Sequence, residues 1–497
     1  MPSRKSKYFE YNICFISGFS ILSLEIISFR IFTPYFGTAT YTSGIIINTI
    51  LLSLALGYLL GGIAAHKFKS YKLPCFMILG SSLYLLAVLF YYPFILKTLT
   101  FKSLIMGCIT AVLILFSLPM ILLAMVSPYL IKLLHVKNDV GKISGKIFAL
   151  STLGSVVGGS FTTFIFIPSF GSKISFSIIV YFLIAISIIG LIKYNKRYSL
   201  VLVLLIPFYF LPSNKQPKDT IYKGESEHNV ITITKKKKHF YLKLGINSGY
   251  HSKSFDFKNY LTKSRYDYFL FPQLLLNAKN TLVLGNAVGV SMSQIHTFFD
   301  TNIDGVEIDA KLTNLGKQYF GLKIDKKLSI FHEDARTFLY NDKKKYDIIY
   351  LDVYTGNSLI PFHVTTIEFF KLLDKKLNKK GIIAINLPYF PLESKFIEYY
   401  LNTIIKVFPN SYFFSKGFIV YAFKDNIDKK TMYELTKNKE IPNQLSELST
   451  TILLKLKKIN KKNSKNIFKD DYAPVEKMTY HIFEEKLRNI HKDLLNN

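Results

Sequence analysis

A glycine-containing turn and an acidic residue further along the chain have the spacing of a nucleoside-binding site. Gly285 and Gly289 follow the apolar run Thr281–Leu284, and glycines let a backbone turn tightly and approach a ligand closely. Two glycines alone fall short of a GxGxxG dinucleotide fingerprint. Glu307 lies 22 positions after Gly285, which is about where a carboxylate grips the hydroxyl pair of a ribose.

Two more acids follow the next apolar runs. Asp334, in the segment His332-Glu-Asp-Ala335, could accept a hydrogen bond from an exocyclic amine. Asp352 directly follows the run Asp347–Leu351. Each acid has an alternative role as a helix N-cap, because Asp favours that position. Three acids after three successive runs, together with the glycine turn, favour a binding site over separate caps.

Short apolar runs that alternate with helical patterns position these residues. The alternation predicts a parallel, doubly wound sheet, in which ligands bind beyond the carboxyl ends of the strands. Before it, residues 220–250 alternate polar and apolar side chains, which predicts a β-hairpin or small sheet. The predicted strands are 281–285, 303–308, 328–331, 347–351 and 381–385, and the predicted helices are 289–299, 310–320, 365–377 and 393–406.

The first 212 residues differ from the rest in composition. They contain 17 Lys and Arg but only three acids, whereas the remainder contains 46 basic and 30 acidic residues. Apolar runs of membrane-spanning length, roughly 17–25 residues, recur here, so we predict a polytopic helical membrane domain. The runs are 11–29, 43–65, 75–96, 104–131, 147–168 and 174–192.

The loops between these runs predict the orientation. Lys and Arg concentrate in the N-terminal segment and in every second loop, which places the N-terminus inside. A seventh apolar run, Ser199–Leu211, is only thirteen residues long and leaves six or seven crossings open. We favour six, with the C-terminal domain in the cytoplasm at the inner membrane. Glu25, in mid-membrane, is either a functional group or a packing partner of Arg30. Glycines at 57, 61 and 62 and at 154, 158 and 159 favour close helix packing.

The composition also excludes several classes of protein. The segregated charge argues against a single soluble enzyme, a disordered chain or a secreted disulfide scaffold. Cys14, Cys75 and Cys108 all lie in apolar stretches without paired ligands, so neither a disulfide nor a metal site is expected. The net charge of +30 does not come with clustered Arg and interleaved aromatics, so no nucleic-acid partner is expected.

Residues from about 222 to 390 resemble the polyamine aminopropyltransferase (spermidine synthase) family, a branch of the S-adenosylmethionine-dependent, class I methyltransferase fold. The first half is similar to the membrane half of fused major-facilitator/spermidine-synthase proteins, at Glu25 to Arg30, Pro34 to Gly37 and Gly145 through Gly159. The segments that carry the likeness in the second half are Glu225-Ser-Glu-His-Asn229, Val306-Glu-Ile-Asp309, His332-Glu-Asp-Ala-Arg336, Leu351-Asp-Val-Tyr-Thr-Gly356, Ile360-Pro-Phe-His363, Thr366-Ile-Glu-Phe369 and Asp470-Asp-Tyr-Ala-Pro474.

The resemblance implies a role for each site residue. Asp352 would be the general base, and Tyr354, Thr355 and His363 would line the acceptor pocket. Two positions depart from the family pattern. Val288 stands where the family has an aspartate that holds the aminopropyl amine, and Thr355 replaces a second acid. The residues implied to bind the nucleoside co-substrate are Gly285, Asn286, Gly289, Glu307, Asp309, Asp334 and Ala335.

The resemblance implies transfer of an aminopropyl group from decarboxylated S-adenosylmethionine to a polyamine acceptor. A methyltransferase that uses S-adenosylmethionine, and a transporter or sensor that has lost catalysis, remain alternatives, and a homo-oligomer is left open. The domain boundaries we predict are 1–212 for the membrane domain, 213–275 for a small β-rich segment, 276–425 for the α/β domain and 426–497 for a Lys-rich helical extension.

Overall fold

The computed structural model of the chain divides into two compact units, one of residues Met1–Gln216 with Lys486–Asn497 and one of residues Pro217–Glu485. The boundaries predicted above stay predictions. The structure describes residues 4–37, 40–134, 140–195, 197, 219–246, 249–355, 359–437, 443–460, 465–480, 482 and 485. The seventh apolar run predicted at Ser199–Leu211 lies outside these residues.

The first unit is helical and apolar. Within the described residues, five helical stretches are long and apolar enough to cross a membrane. Many of their large apolar side chains are exposed, for example Leu52, Leu59 and Phe164, as expected of surfaces that face lipid rather than water. The helices are α1 (Arg4–Phe36), α2 (Thr40–Lys67), α3 (Leu73–Lys102), α4 (Leu104–Leu134), α5 (Val140–Phe161) and α6 (Ile167–Tyr194).

The fifth stretch, Val140–Tyr194, contains two helices of opposite direction. It is 55 residues long, about twice the length that one crossing needs, and its backbone leaves the helical conformation at Gly171. Glycines of α5 lie against Phe15 and Phe19 of α1 in parallel order. Near its C-terminal end, α6 receives the opposite end of α1, because Tyr194 donates a hydrogen bond to Glu10. The predicted runs 147–168 and 174–192 are therefore two antiparallel helices that meet near Gly171.

Small residues set the distance between helices in this unit. A Cβ added to Gly154 or Gly158 of α5 would lie 2.0 or 2.2 Å from a carbonyl oxygen of α1. Gly57 and Gly61 of α2 pack in the same way on the backbone of α4, whereas Gly62 has nothing within 4 Å of an added Cβ. Most of the glycines predicted to pack helices therefore do so.

The second unit is built around two sheets. A four-stranded antiparallel sheet with order β1-β2-β3-β4 comes first, and an eight-stranded sheet with order β12-β10-β11-β9-β8-β5-β6-β7 follows. The strands are β1 (Thr220–Glu225), β2 (Val230–Lys236), β3 (His239–Leu244), β4 (Ser252–Lys253), β5 (Asn280–Leu284), β6 (Asn302–Val306), β7 (Leu328–Phe331), β8 (Tyr346–Leu351), β9 (Leu377–Asn386), β10 (Asn410–Phe414), β11 (Ile419–Phe423) and β12 (Leu456–Lys458).

Strands β5 to β9 are mutually parallel, and β10, β11 and β12 pair antiparallel on one side. The strand order reverses between β5 and β8, so this is the doubly wound, Rossmann-like arrangement of class I methyltransferases, as predicted. Its helices are α7 (Phe271–Leu275), α8 (Val290–Phe298), α9 (Ala310–Tyr319), α10 (Ala335–Asn341), α11 (Ile367–Lys376), α12 (Lys395–Val407), α13 (Lys429–Lys437) and α14 (Asn443–Lys455).

The apolar sequences of the central strands account for their burial in the sheet. Both faces of β8 and β9 are covered, by one apolar cluster that includes Phe369 and Tyr400 and by another that includes Phe271 and Tyr421. Strands buried on both faces have continuous apolar sequences, and this pattern predicts β8 and the end of β9. Because the five strands are parallel, Gly285, Glu307, His332, Asp352 and Asn386 all lie along one edge of the sheet.

Candidate active site

A small cleft opens where β5 and β8 end. Gly285, Asn286 and Asp352 of the sequence-predicted site line it together. The cleft lies at the point where the strand order reverses, which is where an open α/β sheet binds its ligands.

The first residue of the turn after β5 has to be a glycine. Gly285 has a φ of +80°, and a Cβ there would lie 2.3 Å from the carbonyl oxygen of Asp352. Any other residue would therefore strain its own backbone and push the two strand ends apart. The turn ends at Gly289, whose N–H donates to the carbonyl of Asn286 at 2.7 Å and which caps α8.

Glu307 sits directly beneath this turn. Its Oε2 accepts from the backbone N–H of Ala287 at 2.8 Å, and its Oε1 accepts from that of Asp309 at 3.0 Å. The carboxyl is 8% exposed, and burial raises its pKa to about 7, although both backbone hydrogen bonds lower it. Each oxygen keeps a lone pair for a further donor, so the group suits a pair of ligand hydroxyls.

Both carboxylate oxygens of Asp309 accept hydrogen bonds from other residues of the protein, and Asp309 does not line the cleft. It caps α9, where its Oδ1 accepts from the N–H of Lys311. Its Oδ2 accepts from the hydroxyl of Ser226 and the amide of Asn229. The residue is 2% exposed. Asp309 therefore ties the loop between β1 and β2 to the end of β6.

Asp352 is held by a chain of polar groups. Its backbone N–H donates to Leu284 at 2.9 Å, and its Oδ1 accepts from the side-chain amide of Asn386 at 2.6 Å. The amide oxygen of Asn386 accepts in turn from Arg265 at 2.9 Å. Burial raises the pKa of the Asp352 carboxyl, which the hydrogen bond from Asn386 and the charge of Arg265 partly offset. A partly desolvated, oriented carboxylate of this kind is a suitable general base.

Asp334 and His363 form a separate group at the end of β7. Asp334 caps α10 through the N–H groups of Arg336 and Thr337. Its other oxygen lies 3.2 Å from Nε2 of His363, and the hydrogen bond with this imidazole lowers the pKa of Asp334 to about 2. Ala335 follows, 6% exposed, as the first residue of α10. The structure thus brings His363 to Asp334, and not into the cleft that Asp352 lines.

Arg336 fixes this group to a distant part of the chain. Its guanidinium donates to both carboxylate oxygens of Asp470 and to the carbonyl of His363. Asp470 also accepts from the hydroxyl of Thr366 at 2.6 Å. Asp470, in the segment 470–474 that carries part of the resemblance, therefore connects Arg336 to Thr366 beside the Asp334–His363 group.

The two remaining predicted residues lie in the loop after β8. The hydroxyl of Tyr354 donates to the carbonyl of Asn386 at 2.8 Å. Thr355 closes a local turn, because its N–H and its hydroxyl both donate to the carbonyl of Leu359. Both donors of Thr355 are therefore directed to its own loop.

Val288 has no exposure to the cleft. It is 0% exposed and packs in an apolar cluster with Ile231, Ile233 and Leu242 of the small sheet and with Leu312 of α9. The position at which the resemblance expects a substrate-binding aspartate is thus part of the contact between the small sheet and the α/β core.

Several residues of the site were missed by the sequence analysis. Asn386 ends β9, so the rule applied to the other strand ends would have found it. His251 lies in a bend, and Arg265 and Tyr266 begin a short 3₁₀ helix, Arg265–Leu270; the sequence around them has no periodicity and gave no signal. His251 lines the cleft with Tyr266. Its Nδ1 accepts from the N–H of Leu244, and burial lowers its pKa to about 4.

Residues 270–420 match the model of the spermine/spermidine synthase domain. The chain is similar to a probable polyamine aminopropyl transferase of Bifidobacterium longum, with 28% identity over 289 residues, 53% of this chain and 63% of the relative. It therefore spans a little under two thirds of that relative's length. It is also similar to polyamine aminopropyltransferase 2 of Aquifex aeolicus, with 23% identity over 397 residues, 74% of this chain and 76% of the relative.

Among solved structures, the spermidine synthase of Thermotoga maritima is similar with a TM-score of 0.36 and 17% identity, over 47% of this chain and 84% of that one. The Aquifex alignment is too long to fit within the α/β unit alone, so it includes part of the helical unit. Within the C-terminal half of the chain, residues 270–420 thus resemble a spermine/spermidine synthase domain, and the described helices that precede it are long and apolar enough to cross a membrane.

Proposed function

We propose that this chain is a membrane-bound transferase that moves an aminopropyl group from decarboxylated S-adenosylmethionine to an amine. The domain match and the aminopropyltransferase relatives support transfer of this group. The observation that carries the proposal is Asp352, which lies in the cleft beside the Gly285 turn and is oriented by Asn386.

The residues of the site have distinct tasks in this reaction. Glu307 binds the ribose hydroxyls, and Asp334 accepts from the exocyclic amine of the adenine. Asp352 takes the proton that the acceptor amine loses as its nitrogen attacks the aminopropyl carbon next to the sulfonium. The new C–N bond replaces the C–S bond, whose electron pair leaves with methylthioadenosine. Most of the acceleration comes from holding the two reactants in line, and the base contributes roughly 10²–10⁴-fold.

The test is a product assay with the full chain purified in detergent. Incubation with decarboxylated S-adenosylmethionine and an amine should release methylthioadenosine, detected by mass spectrometry. Asp352→Asn keeps the shape and the partner Asn386 but cannot accept the proton, so we expect turnover to fall by about 10²-fold or more while methylthioadenosine still binds. Unchanged turnover in Asp352→Asn would remove Asp352 from the base role.

One observation favours methyl transfer as the second candidate. The turn after β5 has Val288, a buried apolar residue, at the position where the resemblance expects a carboxylate for the aminopropyl amine. The guanidinium of Arg265 is separated from Asp352 by one side chain, that of Asn386. A cation there suits the carboxylate of ordinary S-adenosylmethionine. The same assay decides between the two, because methyl transfer releases S-adenosylhomocysteine in place of methylthioadenosine.

A further inference from the structure

The residues of the proposed site lie along the sheet edge in the order of the strands. In the order β8-β5-β6-β7, Asp352, Gly285, Glu307 and Asp334 each come after the end of one strand. Neighbouring strands lie about 4.8 Å apart. A nucleoside with its ribose at Glu307 and its sulfonium toward Asp352 therefore extends its base to the end of β7, where Asp334 lies.

Asp334 has one hydrogen-bonding position left for a ligand. Its Oδ1 accepts from the N–H groups of Arg336 and Thr337 at 2.9 and 3.0 Å, and its Oδ2 lies 3.2 Å from Nε2 of His363. With a pKa of about 2, the carboxyl is ionised at neutral pH and can only accept, so Nε2 is the donor. A carboxylate has about four lone-pair positions, and the fourth, on Oδ2, remains for one further donor. The side chain is 35% exposed, so a ligand can reach it.

His363 is held against Asp334 by a closed ring of hydrogen bonds. The carbonyl of His363 accepts from Nη1 of Arg336 at 2.8 Å. The backbone N–H of Arg336 donates to Asp334, and Asp334 accepts from the imidazole of His363. His363 also lies in the middle of a 3₁₀ helix, Phe362–Val364. The imidazole therefore reaches the carboxylate from a backbone that is itself fixed.

Asp470 fixes the guanidinium of this ring. Both of its carboxylate oxygens accept from Arg336, and such a bidentate pair sets the orientation of both groups. The side chain of Arg336 is 12% exposed. Asp470 is held in turn by the hydroxyl of Thr366, and its own N–H donates to the carboxylate of Glu368 at 3.0 Å. The arrangement that places His363 is therefore complete without a ligand.

We propose that His363 is a positioning residue for the nucleobase, because its Nε2–H holds Asp334 so that the remaining lone pair accepts from the 6-amino group of a purine. The assignment rests on the proposed function, and it moves His363 from the acceptor pocket to the binding of the co-substrate. A 6-oxo purine turns a carbonyl oxygen toward the same lone pair, and two acceptors share no hydrogen bond. With His363 in place, Asp334 cannot swing to the neighbouring N1–H of the 6-oxo base. The group therefore selects adenine over hypoxanthine.

A matched pair of nucleosides tests the role of His363 by binding. Methylthioadenosine and its 6-oxo analogue, methylthioinosine, are titrated calorimetrically into the full chain in detergent. We expect the wild type to prefer the 6-amino nucleoside by at least about tenfold. His363→Phe keeps a flat ring without the donor and should reduce this preference by about tenfold. His363→Gln, whose amide N–H can take the place of Nε2–H, should retain most of it. The preference is a ratio within one protein, so the fraction that is folded cancels.

The chain offers a second histidine–aspartate pair as a matched control. Nε2 of His296 lies 2.9 Å from Oδ2 of Asp325. His296 is in the last turn of α8, and Asp325 precedes β7 at the sheet edge opposite to Asp334. His296→Phe should therefore leave the nucleobase preference unchanged. An equal loss of preference in His296→Phe and His363→Phe, or a wild-type preference in His363→Phe, would overturn the proposed role of His363.

Turnover separates the role of His363 from the proposed function. His363→Phe should raise the KM for the sulfonium donor by about tenfold and leave the KM for the acceptor amine unchanged, whereas the opposite pattern would return His363 to the acceptor pocket. A wild type that prefers the 6-amino nucleoside but releases no methylthioadenosine contradicts aminopropyl transfer and keeps the role of His363. A wild type that releases methylthioadenosine without this preference contradicts the role of His363 alone, and one that binds neither nucleoside contradicts both.

Discussion

At the scale of single residues, Val288 shows why a position that corresponds to a functional residue of a family need not have that function. An aspartate there would be enclosed by Ile231, Ile233 and Leu242. We predict that Val288→Asp lowers the free energy of unfolding by on the order of 3 kcal/mol, the usual consequence of burying an unpaired charge, and does not raise turnover. Denaturant unfolding and the methylthioadenosine assay measure the two effects.

Val288→Asn is the control, because it has the same shape without the charge and should destabilise less. A stable and more active Val288→Asp would mean that the side chain at this position reaches the ligand. The turn would then have to rearrange when the co-substrate binds.

Glu307 should make nucleoside binding depend on pH. Burial raises its pKa to about 7, and the ionised form is the one that accepts hydrogen bonds from both ribose hydroxyls. The affinity for methylthioadenosine should therefore fall as the pH drops below about 7, by up to about tenfold per unit for one proton. Calorimetric titrations between about pH 5.5 and 8 measure the slope.

The contribution of Glu307 to folding stability has the opposite pH dependence. The folded chain holds the Glu307 proton more tightly than the unfolded chain, whose pKa is near 4.5, so the contribution to stability is lost as the pH rises from there through about 7. Glu307→Gln cannot ionise and should flatten both profiles. A wild-type affinity that is constant across this range would exclude Glu307 from ribose binding.

At the scale of elements, close packing between α1 and α5 depends on glycine. A Cβ at Gly158 would lie 2.2 Å from the carbonyl oxygen of Phe19, so even alanine must push the helices apart. We predict that Gly158→Ala destabilises the helical unit by about 1–3 kcal/mol. Gly62→Ala, where an added Cβ meets nothing within 4 Å, is the matched control and should have little effect.

The chain offers a direct readout for this comparison. All three cysteines lie in the helical unit and are buried, so a thiol-reactive dye reports the unfolding of that unit alone. The Gly158→Ala protein should react at a lower temperature than the wild type. Equal midpoints for Gly158→Ala and wild type would show that the helices can separate without cost.

The strands and helices of the α/β core could be predicted because their sequence patterns are strong. Short apolar runs that alternate with helical patterns located β5, β6, β7, β8 and β9 from the sequence. The rest depends on tertiary contacts. β12, Leu-Lys-Lys, has no alternation and forms because β10 offers an unpaired edge. Arg265 donates a hydrogen bond to Asn386, which lies 121 positions away in the chain.

At the scale of the whole molecule, the charge of +30 has two different meanings. In the helical half the cations lie mainly in alternate loops, where they predict orientation. In the remainder of the chain the 46 cations are mixed with 30 acids, and neither Lys nor Arg is among the described residues that line the cleft.

The number of crossings decides on which side of the membrane the α/β unit works. We predict that six helices cross and that the seventh apolar run, Ser199–Leu211, does not, because thirteen residues are too few for a full span. Cysteine labelling with an impermeant maleimide tests this in intact spheroplasts. The native cysteines are buried, so they give little background.

Three introduced cysteines distinguish the topologies. Phe170→Cys, half exposed beside the break at Gly171, should react from outside. Lys69→Cys, between α2 and α3, and Lys237→Cys, between β2 and β3, should react only after permeabilisation. The Phe170 and Lys69 sites are the controls for the two sides. Labelling of Lys237→Cys in intact spheroplasts would mean that the seventh run crosses, and the α/β unit would then be separated from a co-substrate that is made in the cytoplasm.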